Sequence, residues 1–355
     1  MSPMNAPPDL ARLAEGFDVF GRTHCGQEPV YAALCAMLAR EPERLRVLER
    51  ADPTQRRPNL LLAAVHLLAV RERTSPFAEY FRSAGGMRDV DHQFEGHARM
   101  FMDGRAEAIE ALCATRTTQT NEIGRCAVLW PALLEGLRRT GAGECALDDF
   151  GASAGLNLGV DTYGIDYDDV RVRPAAEPRI ACKLEGSGRF ESSGNVHVVE
   201  RLGVDVAPVD LRDPDARAWL LACVWPHDVV RHARLERAID VALQHGFRVE
   251  PARDGLELLE ERIAALPKGV TPVVFQTWVL NYIPADERRT TIARLRDLAH
   301  DGRAIWISGE GDEVALDASL PACPPSETQW VLTSAEGSSV VAHSHPHGAW
   351  LRWTA

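Results

Sequence analysis

The stretch "DDFGASAGLNLGVD", residues 148–161, holds the residue types nearest to chemistry. Gly151 and Gly155 bracket small residues directly after the short apolar run Ala146, Leu147 and Phe150, the pattern of a strand turning into a helix. Two chemistries use such a turn. Read as Gly151–x–Ser153–x–Gly155, it is the elbow that exposes a nucleophilic serine in hydrolases. Read as an acid, Asp149, two residues ahead of a small-residue turn, it lets a nucleotide-type cofactor approach the backbone.

The hydrolase reading asks for several strands before the elbow, one with a glycine-rich oxyanion loop. Residues 1–140 read as helices instead. An acid and a base do follow in triad order, Asp317 and then His343, His345 or His347, so a hydrolase using Ser153 stays open as an alternative.

Further polar residues stand where a ligand could meet them. "QTNEIGR" places Asn121, Glu122 and Arg125 at the head of the helix that leads into the first strand. Asn121 fits an N-cap, and Glu122 answers the helix dipole and pairs with Arg125 one turn on. Alternatively the three face a substrate, with Arg125 on its carboxylate. Gln276 and Asn281 lie at the carboxyl end of an apolar strand, where ligands bind in open α/β sheets, and are substrate-binding candidates. His66, on the same face of an apolar helix as Asn59, reads as a hydrogen-bonded core residue. In "HSHPHGAW" the alternating histidines are interrupted by Pro346 and no acid or cysteine completes a ligand set, so no metal is expected.

The elements that must hold these residues change character along the chain. Tyr31, Leu34, Cys35 and Leu38 mark one helix face, and "RRPNLLLAAVHLLAVRER" is apolar nearly all round, as a central buried helix would be. Amphipathic segments follow at about 91–114 and 122–139, the latter closing on "RRTGAG". From Gly143 short apolar runs at 146–150, 202–206, 272–276 and 304–308 alternate with helical segments such as 285–299, the rhythm of a parallel sheet. The segment near 168–195 breaks that rhythm and reads as an insertion; 328–353 reads as an antiparallel hairpin. The strand entering Gly151 is expected inside the sheet, with no parallel strand before it.

With 355 residues, 45% hydrophobic and 25% charged, the chain has the size of two domains and the makeup of a globular protein. A net charge of -12 argues against nucleic acid as partner. No apolar run reaches the roughly 20 residues of a membrane span, the start of the chain lacks the pattern of a signal peptide, and eight scattered cysteines read as reduced and buried. A cytoplasmic location and a small-molecule partner are expected.

"LDDFGASAG" resembles the first motif of class I S-adenosylmethionine-dependent methyltransferases, with Ser153 where that motif has a glycine. "ERLGVDVAP" and "FRVEPARDGLELL" are similar to the second and third strands of that fold, and "PVVFQTWVLNYIPADERRTTIARLRDLAHDGRAIWIS" to its fourth and fifth. The resemblance implies that Asp149, Gly151, Ser153, Gly155, Asn157, Asp205 and Asp254 hold S-adenosylmethionine, Asp205 at the ribose hydroxyls and Asp254 at the adenine amino group. It also implies that a helix after the turn aims its N–H groups at the cofactor. Over nearly its full length, through "RRPNLLLAAVHLL", "TQTNEIGRCAVLWPAL", "GASAGLNL" and "HPHGAWLRW", the chain resembles a bacterial family known as a domain of unknown function (number twenty-three thirty-two). The expected architecture is α/β: a helical domain at 1–142, then a Rossmann-like methyltransferase-type domain at 143–355, its parallel sheet ending in an antiparallel hairpin. The expected function is methyl transfer from S-adenosylmethionine to a small molecule, or, in a different class, binding without turnover.

Overall fold

The computed structural model describes residues 9–119, 121–194 and 196–355. The helices are α1 (Leu10–Thr23), α2 (Pro29–Arg40), α3 (Pro58–Arg71), α4 (Phe94–Asp103), α5 (Ala106–Thr115), α6 (Cys126–Thr140), α7 (Pro214–Ala222), α8 (Val229–His245), α9 (Gly255–Ala265) and α10 (Ala285–His300). The strands are β1 (Glu144–Phe150), β2 (Gly164–Tyr167), β3 (Val170–Val172), β4 (Arg179–Glu185), β5 (His197–Asp205), β6 (Val249–Pro251), β7 (Val270–Thr277), β8 (Ile305–Glu310), β9 (Thr328–Ser334), β10 (Gly337–Ser344) and β11 (Trp350–Trp353).

Two compact units emerge, one of residues 9–119 with Asp213–Ala233, the other of Asn121–Arg212 with Arg234–Ala355. The boundary expected at 142 falls inside the second unit, because α6 packs there. Gly136 of α6 leaves room for Ile305 of β8 and Leu332 of β9, which would stand 3.0 and 3.2 Å from any Cβ at that position. In the helical unit α3 is the buried centre: Leu60 through Ala69 are all shielded from solvent. The amphipathic run expected over 91–114 is broken into α4 and α5 at Gly104.

The second unit is a mixed, mostly parallel sheet in the order β3-β2-β4-β11-β10-β9-β8-β7-β1-β5-β6, with the antiparallel strands β9 and β10 following β8. Five of its strands, β1, β5, β6, β7 and β8, run parallel, and their spatial order counts third, second, first, fourth, fifth in the chain. β1 is the first strand of the sheet and lies inside it, between β5 and β7. Side chains alternate across it. Val274, Trp306 and Val331 join Leu256, Leu259 and Ile263 of α9 and Ile292, Leu295 and Leu298 of α10 in one apolar cluster, while the neighbouring Ile305 and Leu332 face α6.

The segment near 168–195 holds β3 and β4, which with β2 just ahead of it lengthen the sheet beyond β11. β1 therefore reaches its neighbour β5 by way of β2, β3 and β4 rather than through a crossover helix. Among the described residues no helix is long and apolar enough to cross a membrane, and none of the cysteines is in a disulfide.

Candidate functional site

The turn after β1 bends through left-handed backbone at Gly151 (φ +80°), Ser153 (φ +53°) and Gly155 (φ +71°). Glycine is needed at both ends for that reason and for space. A Cβ on Gly151 would lie 2.2 Å from Cγ2 of Val279, and one on Gly155 2.7 Å from Cγ2 of Val249. The room made by these glycines is thus filled by the protein's own side chains. Every backbone N–H of the turn is also engaged: Gly151 and Ala152 donate to the Val204 carbonyl (2.9 and 3.1 Å), Ser153 to Asp205 Oδ2 (2.8 Å), Ala154 to Asn121 Oδ1 (3.1 Å) and Gly155 to the Ala152 carbonyl (2.7 Å). The helix expected after the turn is a four-residue 3-10 turn, Leu156–Gly159, from which the chain runs on to β2. Gly159, with Tyr163 packed on its Cα face, and the β-branched Val160 cut the apolar run short.

Asn121, expected as cap or substrate contact, is a clamp on this turn. Its Nδ2 donates to Ser153 Oγ (3.0 Å) while its Oδ1 takes the Ala154 N–H. The cap of the short turn Ile123–Arg125 is Glu122, whose carboxylate accepts from the Gly124 N–H (2.8 Å) and pairs with Arg234 at 2.9 Å. Arg125, buried, donates from Nε to the Pro346 carbonyl (2.9 Å) and from a terminal nitrogen to the Thr277 carbonyl (3.3 Å), and its guanidinium lies 5.7 Å from the Trp278 ring. Asn157 meets Cys126 Sγ (3.3 Å) and Thr277 Oγ1 (3.5 Å). Asn121→Ala should lower stability by about 1–3 kcal/mol, because the Ala154 N–H loses its acceptor inside the protein. Denaturant unfolding reads this, and an unshifted midpoint would mean that the clamp holds nothing.

Asp205 and Asp254 line a cleft of about 490 Å³ together with Phe150, Gly151, Val279 and Tyr282. The cleft opens at the carboxyl ends of β1, β5, β6 and β7, where ligands sit in sheets of this order. Asp205 accepts from the N–H groups of Ser153 and Ala207, one per oxygen, both at 2.8 Å, so it anchors the turn and keeps one lone pair on each oxygen. Asp254 caps α9 through the Glu257 N–H (3.0 Å) and pairs with Arg294 at 2.8 Å. Both acids therefore have structural duties that their positions in the sequence did not disclose. Asp149 faces away from the α9 side. Burial, then the nearby Asp205 charge, push its carboxyl well above the usual range against the pull of Arg125, and its Oδ2 has no hydrogen-bond partner.

Gln276, expected as a substrate contact, is engaged inside the sheet. Its amide nitrogen donates to Ser308 Oγ and its oxygen accepts from Trp306 Nε1 (2.7 Å), which uses both ends of the side chain inside the sheet. Asn281 Oδ1 is buried without a partner and lies outside the residues that line the cleft.

A residue not foreseen, Glu310 at the end of β8, accepts the N–H groups of Val279 and Leu280 (both 3.1 Å) and so fixes the turn that walls the cleft. Its only signal in the sequence is an acid closing the apolar strand "IWISGE". The turn begins with Trp278 in left-handed backbone (φ +58°), costly for an aromatic residue, held by Thr328 Oγ1 on its indole N–H (2.9 Å). Burial raises the Glu310 carboxyl to about 7, against the backbone N–H bonds and the charges of Arg125 and Arg288. A folded value above the unfolded one means the folded chain holds the extra proton between about pH 4.5 and 7, so this group's contribution to stability falls as pH rises through that window. Glu310→Gln, neutral throughout, should flatten that part of the stability–pH curve. An unchanged curve would show that Glu310 does not titrate there.

The acid and histidines that follow Ser153 in triad order have partners of their own. Asp317 accepts from Ser319 and pairs with Arg296 at 3.1 Å, and His343 lies 3.5 Å from Glu327. His345 Nδ1 accepts the His347 N–H (3.0 Å), and His347 lies 3.8 Å from Glu122. In the helical unit His66 is held between the Ala222 carbonyl (2.9 Å) and Ser83 Oγ (2.6 Å), and burial lowers it to about 3, which keeps it neutral. Among the described residues no three His, Cys, Asp or Glu side chains are grouped to hold a metal ion.

A family model described as "uncharacterized protein conserved in bacteria (DUF2332)" matches residues 14–353. No curated protein matches the sequence.

Proposed function

The chain belongs to this bacterial family, and on that premise we propose that its sheet unit is of methyltransferase type and binds S-adenosylmethionine for methyl transfer to a small acceptor. The observation that carries the reading is the cleft at the carboxyl ends of β1, β5 and β6, because Gly151, Asp205 and Asp254, three of the seven residues expected at the cofactor, line it together. The strand order around β1 adds support. The free lone pairs of Asp205 suit a ribose diol, and the apolar Phe150, Val206, Leu256 and Ile283 suit the faces of a base. When bound, the cofactor supplies an activated methyl group; the protein's part is to hold it in line with the acceptor.

A second reading, binding without turnover, is favoured by one specific observation. The turn's N–H groups, which would fix the cofactor's amino-acid end, are all taken within the protein. Calorimetric titration of the full chain with S-adenosylmethionine and S-adenosylhomocysteine tests the shared premise. The expected result is saturable binding of both, with a rise in melting temperature, since a ligand at 100 times its Kd stabilises by about 2.7 kcal/mol. Absence of heat and of any melting shift at millimolar ligand would overturn both readings.

A further inference from the structure

We propose that the cleft recognises the nucleoside part of its ligand and leaves the substituent at the 5′ carbon unread, with Val279 as the residue that sets this limit. The inference rests on the nucleoside reading of the cleft given above.

Three independent observations meet here. Anionic tails, whether carboxylate or phosphate, are commonly held by spare N–H groups of a glycine turn and by the N-terminus of the helix after it. In this chain the N–H groups of residues 151–155 donate to Val204, Asp205, Asn121 and Ala152, which leaves no N–H of the turn for a tail. No α-helix follows, only the 3-10 turn Leu156–Gly159. The wall of the cleft includes Phe150 and Gly151 but none of residues 152–155, and Val279 closes over Gly151 with Cγ2 2.2 Å from where a Cβ would stand. Val279 is not free to swing, because its own N–H is bonded to Glu310 and its side chain is branched at Cβ.

The other end of the cleft is equipped for a base and a sugar. Asp205 offers one lone pair on each oxygen, and the apolar Val206 and Tyr282 remain 77% and 62% exposed, edges that a flat ring would cover. The ligand class that follows is an adenosine-like nucleoside, recognised by ring and ribose and indifferent to what its 5′ carbon bears.

The test is a calorimetric comparison of adenosine, adenosine 5′-monophosphate and S-adenosylhomocysteine on the full wild-type chain and on Val279→Ala. In the wild type the three Kd values should agree within about threefold, whereas a tail read through one to two hydrogen bonds would give a tenfold or larger preference. In Val279→Ala the space over Gly151 opens, and S-adenosylhomocysteine should gain at least fivefold over adenosine. A tenfold preference of the wild type for either tailed ligand overturns the inference while leaving the nucleoside reading intact. So does an unchanged ratio in a folded Val279→Ala. Failure of adenosine to bind the wild type overturns both. The wild-type comparison decides alone should the variant not fold.

Discussion

Gly348→Ala should cost roughly 3–5 kcal/mol, the sum of left-handed strain and a contact that cannot relax. Gly348 sits at φ +71°, and a Cβ there would stand 2.0 Å from the Gly124 carbonyl oxygen, 2.4 Å from its carbon and 2.9 Å from the Arg125 nitrogen. All three are backbone atoms, so no side-chain rotation makes room. The contact is mutual, since a Cβ on Gly124 would lie 2.2 Å from the His347 carbonyl oxygen. Two stretches far apart in sequence, "NEIGR" and "HPHGAW", therefore touch main chain to main chain, and the Arg125 Nε bond to Pro346 ties the same crossing. Denaturant unfolding of the variant should show a large drop in midpoint with little change in slope. A wild-type midpoint would mean that the two stretches do not meet.

Arg262→Met should be nearly as damaging, by about 3–5 kcal/mol at pH 8, because it strands a buried carboxylate. Asp148 has no exposed surface, its partner on α9 is Arg262, and its Oδ2 is without any hydrogen bond. Burial raises this carboxyl to about 7, with Arg262 pulling it down and Glu200 pushing it up. The folded value lies above the unfolded 3.8, so the folded chain retains the proton between about pH 4 and 7, and stability from this group declines as pH rises across that range. Toward pH 5 Asp148 is neutral even beside Arg262, and the defect of Arg262→Met should shrink. Asp148→Asn added to Arg262→Met should restore most of the loss at pH 8. A defect of equal size at pH 5 and 8 would show that the pair does not act through charge.

What the sequence disclosed was the part written in local pattern. The apolar runs around Leu147, Val274 and Ile307 became strands, and "NLLLAAVHLLA" became the buried helix. Where local pattern did not disclose a side chain's role, the usual reason was a partner chosen far away in the chain. Asn121 looks like a cap because asparagine caps helices, yet Ser153 and Ala154 take its amide. Gln276 looks stranded in an apolar strand until Trp306 and Ser308 are set beside it. "GLNLGV" has apolar residues at helical spacing, but two glycines and a valine within six residues shorten it to a 3-10 turn. At the candidate site, Gly151 was visible in its turn, and Asp205 and Asp254 came only from the resemblance of their segments to the methyltransferase fold. Glu310 and Val279 were not visible, because nothing local marks an acid that captures two N–H groups across a strand boundary.

The placement of β11 has a consequence for how the chain is made. The strands β2, β3 and β4 pair with one another, and among the described residues their only strand link to the rest of the sheet is β11, which lies between β4 and β10. On the ribosome β4 emerges long before Trp350, so this three-stranded flap must wait, the β4 edge unpaired, while β5 through β10 are being synthesised. Contacts with α6, such as the Tyr167 hydroxyl on the Ala127 carbonyl, can form early, but the strand pairing between the two portions waits for Trp350–Trp353. The last strand to be made is thus the one that completes the sheet at an inner seam, not at an edge.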